Sequence, residues 1–272
     1  MKKILVPTDF SIQAQNALNV ALQIAKRFNS EILLLHTIDL PLHLSSVGSS
    51  QLPEPLFFIE LAKQHFEQFL EKIESNDISI KTIIESDYTA SGIVEASKKH
   101  NADLIVMGSS GATGMKEIFI GSNTEKVVRS AEIPVLVIKN PVANFNIEHF
   151  VFASNFEPKF NDAFMRASLF AEKFHAKIHL LYVNTPHQFM TTHEIEEKIE
   201  KFKRLNATQD YQVHIYNDER VETGIMNFAT SIDADMICMS TYGRKGLAHF
   251  FNGSISEDLV NHTIRPVLTI RA

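Results

Sequence analysis

The chain of 272 residues predicts two tandem α/β domains, each a doubly wound, mostly parallel sheet with helices on both faces. Three observations predict this. The sequence repeats itself, short apolar runs alternate with longer amphipathic segments inside each repeat, and the length suits two average domains better than one. At an offset of 146, residues 4–37 lie without gaps over 150–183, with ILVPTDF over FVFASNF and EILLLHT over KIHLLYV. At an offset of 132, residues 92–138 lie over 224–270, with 17 of 47 positions identical. One fold unit is therefore being read twice. The change of offset gives the first copy 14 extra residues, which fall near LPLHLSSVGSSQLPEP, a long loop by its prolines and serines. The run from Lys139 to Asn146 breaks the pattern between copies. The domains are placed at 1–142 and 147–272.

In the first copy, Ile4–Val6 reads as a strand. Ser11–Phe28 carries Ala14, Ala17, Leu18, Ala21, Leu22 and Ala25 on one stripe and reads as a helix. A strand at Ile32–Thr37, a helix at Phe57–Ile73, a strand at Ile80–Ile84 and a helix at Ala90–His100 follow. Leu104–Met107 is a strand whose unbroken apolar run fits burial on both faces. A helix at Ser122–Ser130 and a strand at Val135–Ile138 close the copy. Strictly alternating strands and helices of these lengths imply parallel pairing with helical crossovers.

Composition narrows the function classes. Hydrophobic residues make up 44% and charged residues 21%, an ordinary globular balance. A net charge of -6 and a pI near 6.1 supply no basic field for a nucleic-acid backbone. Cys238 is the single cysteine, so no intramolecular disulfide forms and a reducing compartment is expected. MKKILVPTDF has too short an apolar run before Pro7 for a signal peptide, and no stretch reaches the roughly 20 apolar residues of a membrane span. The expectation is a soluble cytoplasmic protein.

Of ten glycines, eight form four pairs across the repeat: Gly92 with Gly224, Gly111 with Gly243, Gly114 with Gly246 and Gly121 with Gly253. Gly108 and Gly111 follow a buried strand, and Gly121-Ser122 opens a helix. Ligands of open parallel sheets bind at the carboxyl ends of the strands, where a helix start offers unpaired N–H groups to a phosphate. An ordinary turn followed by an N-cap at Ser122, with Glu125 completing a capping box, explains the same residues equally well.

The spacing MGSSGATGMKEIFIGSNTEKV, glycine, two residues, glycine, nine residues, glycine-serine, resembles the nucleotide signature of universal stress proteins. The resemblance extends to VPTDFS, HTID and EIPVLVIK, and so covers nearly the whole chain. No GKS or GKT of a Walker loop and no GxGxxG is present. The resemblance implies a Rossmann-like fold related to adenine nucleotide α-hydrolases and a regulatory protein that binds ATP, with or without Mg2+, and has little or no catalysis. It implies that Asp9 meets the nucleoside, Pro7 and Thr8 shape its turn, the Thr37 backbone reads adenine, and Gly108 sits by the ribose. Gly111, Gly121, Ser122, Asn123 and Thr124 would surround the phosphates. It also implies that the last strands, Val135–Ile138 and Val267–Ile270, pair within the chain as a pseudo-dimer. A further homodimer and protein partners are open. From the residues alone, Asp9 could instead cap the helix at Ser11.

The second copy departs from this pattern. Asn155 replaces Asp9 and Ser240 replaces Gly108, while Gly243, Gly253 and Ser254 keep the phosphate half, so a weak or absent second site is expected. Tyr242 adds bulk beside the same loop, and restoring Asn155→Asp with Ser240→Gly is expected to recover binding. Arg244-Lys245 reads equally as phosphate contact or solvated loop. Twelve histidines show no metal-ligand spacing: His175 and His179 straddle a helix-to-strand junction, and His187 and His193 lie in a polar stretch. No zinc site is expected, and Cys238 is expected to be packed rather than reactive. No catalytic set stands out. The rivals to a regulatory binder are a slow ATP-hydrolysing or adenylate-transferring enzyme and a nucleotide-free scaffold.

Overall fold

Strand β1 (Lys3–Pro7) and its helix α1 (Ile12–Phe28) open the chain. There follow β2 (Glu31–Thr37), α2 (Glu54–Leu70), β3 (Ile80–Glu85), α3 (Thr89–Lys99), β4 (Leu104–Gly108), α4 (Ser122–Ser130) and β5 (Val135–Ile138). The second copy repeats the order as β6 (His149–Ala153), α5 (Asn161–Phe174), β7 (Lys177–Asn184), α6 (Thr192–Leu205), β8 (Tyr211–Asn217), α7 (Val221–Ser231), β9 (Met236–Thr241) and β10 (Val267–Arg271). The computed structural model describes residues 1–38, 54–71, 73, 78–86, 89–109, 121–206, 210–241 and 263–272. Elements fall within three residues of their expected bounds, and the repeat offsets carry β1 onto β6 and α3 onto α7 residue for residue.

All ten strands form one sheet, in the order β3-β2-β1-β4-β5-β10-β9-β6-β7-β8. Eight pairings are parallel. The ninth, between β5 and β10, is antiparallel, with Leu136 opposite Leu268. The seam therefore joins the last strands of the two copies and leaves β3 and β8 as the outer edges. Strand alternation divides the core: Ile4 and Val6 face α1 and α2, and Leu5 faces α3 and α4, all fully buried. Removing both sides of these strands from water is what their continuous apolar runs encode.

The segment between the copies is stitched to α1. Gln23 donates through Nε2 to the Val142 carbonyl at 3.1 Å and accepts from the Phe145 N–H at 2.6 Å. The Arg27 guanidinium lies 4.8 Å from the Phe174 ring of α5, and Phe28 packs edge-on against the same ring. One continuous apolar cluster therefore spans both copies on this face.

The helix starts differ between copies. Ser11 caps α1 by accepting from the Ala14 N–H at 3.2 Å, and Asn29 ends it in a left-handed conformation after Lys26 and Arg27, a favourable charge placement. In copy two a 3-10 turn, Pro158–Phe160, takes the place of the first turn and α5 begins at Asn161. Pro158 suits that position because it has no N–H to leave unpaired.

Candidate functional site

A cavity of about 280 Å³ opens where the carboxyl ends of β1, β2 and β4 meet the start of α4. Pro7, Thr8 and Asp9 line it from the β1 turn, Thr37 from β2 and Gly108 from β4. Gly121, Ser122, Asn123 and Thr124 line it from α4. Nine of the ten candidate residues of copy one thus converge from four separate segments; Gly111, like Gly114, lies outside the described residues. Leu35, Ile93 and Met107 make the apolar part of the wall.

The β1 turn is built by local hydrogen bonds. The Thr8 N–H extends the sheet to the Leu35 carbonyl at 2.8 Å, and its buried hydroxyl accepts from the Phe10 N–H at 2.9 Å. Phe10 sits at φ 64°, a left-handed conformation uncommon for an aromatic residue. Its ring is held among His36, His65, Phe66 and Phe69, with centroids 4.6 to 5.7 Å away. The reversal presents Asp9, exposed, at the cavity mouth, with Oδ1 accepting from the Ser11 N–H at 3.1 Å. The helix cap is Ser11, so Asp9 does not fill that role.

His36 escaped the sequence reading although HTID contains it. Its Nδ1 lies 2.8 Å from the Thr8 carbonyl, fixing the ring against the turn that carries Asp9. The available signal was a polar aromatic ring next to a strand end, which in sequence looks like any surface histidine.

Gly108 is required by packing within the protein. A Cβ there would stand 2.9 Å from the carbonyl carbon and oxygen of Gln13, in the first turn of α1. The β4 end and α1 can approach this closely only without a side chain. Gly224 has a comparable role: a Cβ would meet Val183 Cγ1 at 2.5 Å, so this member of a matched pair seats α7 on the sheet.

The start of α4 corrects one expectation. Gly121 is the N-cap and Ser122 the first helical residue, with no side-chain cap, so Ser122 and Glu125 form no capping box. Glu125 instead pairs with Arg129 at 3.2 Å. A capping box does form at Thr191 and Glu194, at the start of α6. The Gly121 N–H donates to the Ser109 carbonyl at 2.6 Å, and the first helical bond runs from Glu125 N–H to the Gly121 carbonyl. The N–H groups of Ser122, Asn123 and Thr124 therefore have no acceptor within the helix. The Thr124 hydroxyl, buried, donates to the Gly108 carbonyl at 2.9 Å and fastens α4 to the end of β4. Its side chain supports the site from behind.

In copy two, Phe156 repeats the left-handed turn at φ 59°. Asn155 is occupied, however. Its Oδ1 accepts from the Glu157 N–H at 3.2 Å and its Nδ2 donates to Glu157 Oε1 at 2.6 Å, while Glu157 also pairs with Lys159. Ser240 stands at the end of β9, where Gly108 ends β4. Tyr242, Gly243, Arg244, Lys245, Gly253 and Ser254 lie outside the described residues.

Among the described residues no group of three or more side chains is arranged to hold a metal ion. His175 caps α5 and His179 lies inside β7, so the two share no face, and His193 is 82% exposed. Cys238 is fully buried in β9, and burial pushes its thiol well up from the ordinary range. No helix among the described residues is long and apolar enough to cross a membrane.

The model of the universal stress protein family matches this chain twice, over residues 1–139 and 147–271. Universal stress protein MJ0531 of Methanocaldococcus jannaschii is 37% identical over 146 residues, covering 52% of this chain and 83% of its own length. Universal stress protein MJ0577 of the same organism is 34% identical over 157 residues, covering 51% and 94%. A universal stress protein structure from Archaeoglobus fulgidus superimposes with a TM-score of 0.77 over 99% of this chain and 98% of its own, at 23% identity, which shows a shared fold. With two family matches, one on each half of a continuous ten-stranded sheet, the chain belongs to the universal stress protein family as a tandem member.

Proposed function

We propose that the first copy binds ATP and that the protein acts as a nucleotide-dependent regulator without efficient catalysis. The observation that carries this reading is the convergence, in one cavity at the carboxyl ends of parallel strands, of nine residues from four segments. Leu35, Ile93 and Met107 offer an apolar bed for the base, and the Asp9 carboxylate can accept from ribose hydroxyls or an amine. At about 280 Å³ the cavity is the size of a nucleoside-scale ligand site. The phosphates then extend along the exposed first turn of α4, towards the N–H groups of Ser122, Asn123 and Thr124. Mg2+ would enter with them, Asp9 being the one carboxylate among the described lining residues. The remaining acid-base side chain there is His36, whose Nδ1 is engaged by Thr8, and this favours binding over turnover. The second copy binds weakly or not at all.

Mass spectrometry of the denatured protein tests this, with ATP expected, at about one per chain. ADP, with sustained phosphate release near the roughly 10 per second of ordinary enzymes, would favour an ATPase. Calorimetry supplies the site test: Asp9→Ala and Gly121→Val should each weaken ATP at least tenfold. Gly121 sits at φ -58° and ψ 138°, open to any residue, so valine obstructs the phosphates without straining the turn. Unchanged affinity in both variants would sink the assignment.

A further inference from the structure

Three imidazoles lie side by side across the outer strands of copy two. His149 on β6 and His179 on β7 meet with Nδ1 and Nε2 3.0 Å apart, and His179 Nδ1 lies 3.0 Å from Nε2 of His214 on β8. Strand register produces the ladder. His179 stands opposite Val151 and Gln212, so each neighbouring histidine is displaced by two residues and keeps the same sheet face. By the same register copy one has Lys3, Leu33 and Ile83 at these places, so the ladder belongs to copy two alone.

The surroundings are low in compensating charge. His179 is 4% exposed, and α7 covers the ladder with Phe228, whose ring is 4.8 Å from His214 and 6.4 Å from His179. Glu222 on that helix pairs with Arg220. At the foot of β6 the Asp235 carboxylate accepts from the N–H groups of Glu148 and His149, and beyond β8 Asp218 accepts from Asn227. Lys177 adds a positive charge on β7. Burial first, then the neighbouring imidazoles and Lys177, hold His179 down to about 4; burial and Lys177 lower His214.

Proton counting gives the consequence. Each link needs one N–H and one lone pair. Three neutral rings supply three of each, enough for both links in either direction. One added proton leaves two lone pairs, and both links survive whichever ring is the cation. A second leaves one lone pair, so two N–H groups must face each other across a 3.0 Å gap and a link opens. Strand β8 is paired only to β7, at the edge of the sheet, and has the least else to hold it.

We propose that this ladder is an acid-sensitive latch on the edge strand of copy two, tolerant of one proton and released by the second. Hydrogen exchange at pH 7.5 and 5.0, corrected for intrinsic rates and with chelator present, tests it. Residues 80–85 of β3, the opposite edge strand with no ladder, serve as internal reference. Protection over 211–217 should fall at least tenfold more than over 80–85, and His179→Leu, the copy-one residue, should abolish the difference. Equal loss at the two edges, or a difference that persists in His179→Leu, would overturn the proposal. Should that variant not fold, NMR titration of the wild-type imidazoles decides: two rings titrating together, well below the third, support the latch, and three independent titrations near the ordinary histidine value refute it.

Discussion

Replacing Gly108 with serine, the residue copy two carries as Ser240, isolates the contact between β4 and α1. The added Cβ would lie 2.9 Å from two backbone atoms of Gln13 and 3.0 Å from its Cβ. Backbone cannot step aside as a flexible side chain can, so the first turn of α1 must shift. Overpacking of this kind costs about 1–3 kcal/mol. Loss of glycine's freedom in the unfolded chain offsets about 0.4–1 kcal/mol of that. The net loss is about 1–2 kcal/mol, a fall in melting temperature of about 2–4 °C for a chain of this size. Asp9 moves too, because it is tied to Ser11 at the start of the shifted turn, so ATP affinity falls in parallel. Thermal melts and calorimetry on Gly108→Ser read both effects, with Ser240→Gly as control; the control should change stability by less than about 1 kcal/mol. Wild-type melting and affinity in Gly108→Ser would refute the packing argument, leaving Gly108 with no role that a side chain disturbs.

The ladder also sets an acid limit on global stability. His179 is near 4 when folded against 6.5 when unfolded, so its contribution is complete above pH 6.5 and is lost as pH falls towards 4. The loss is about 2 kcal/mol at pH 5 and about 3 kcal/mol at pH 4, which denaturant titrations should show and His179→Leu should remove. The second prediction concerns copy two, where Asn155→Asp with Ser240→Gly would set a new carboxylate against Glu157 Oε1, 2.6 Å from the present Nδ2. Recovery of binding therefore needs Glu157→Ser as well, the copy-one residue; calorimetric stoichiometry should rise from about one towards two in the triple variant and stay near one in the double, and a rise in the double would show that Glu157 does not block the site.

The fold was legible because its signals are local and doubled. Apolar runs such as Leu104 to Met107 fit strands buried on both sides, as in a helix-covered parallel sheet, and each was present twice. The candidate site was legible through the family resemblance that the glycine spacing carries, which is how Asp9, Gly108 and Ser122 could be named together; the residues alone left each open to a capping or turn role. What did not show in the sequence depends on register or on a few tenths of an ångström. Whether Ser122 caps α4 or begins it is decided by one residue of helix start, and the structure gives the cap to Gly121. His149, His179 and His214 are separated by 30 and 35 residues, and no spacing rule joins them until β6, β7 and β8 are laid side by side. Gly108 was noticed for its ligand-side meaning, and its contact with Gln13 requires knowing how closely α1 lies over β4.

The two copies diverge in linked rather than scattered ways. At the nucleoside end, Asn155 in place of Asp9 comes with Glu157 in place of Ser11, and the new carboxylate binds the new amide. A single reversion therefore meets a partner adapted to the change. The same coupling holds at the helix start, where Lys159 in a 3-10 turn takes the place of Gln13 and the strand opposite carries Ser240. On β6, β7 and β8 three replacements make one hydrogen-bonded row, and without its two neighbours the buried His179 would be short of a partner. Within each set, reverting one member alone would leave a polar group unsatisfied or a backbone contact too close. The seam between β5 and β10 lets this happen on one side only: it joins the copies through apolar residues such as Leu136 and Leu268, which make no demand on the chemistry at either carboxyl edge. The two carboxyl edges of one continuous sheet can therefore differ in their side chains without altering the seam that joins them.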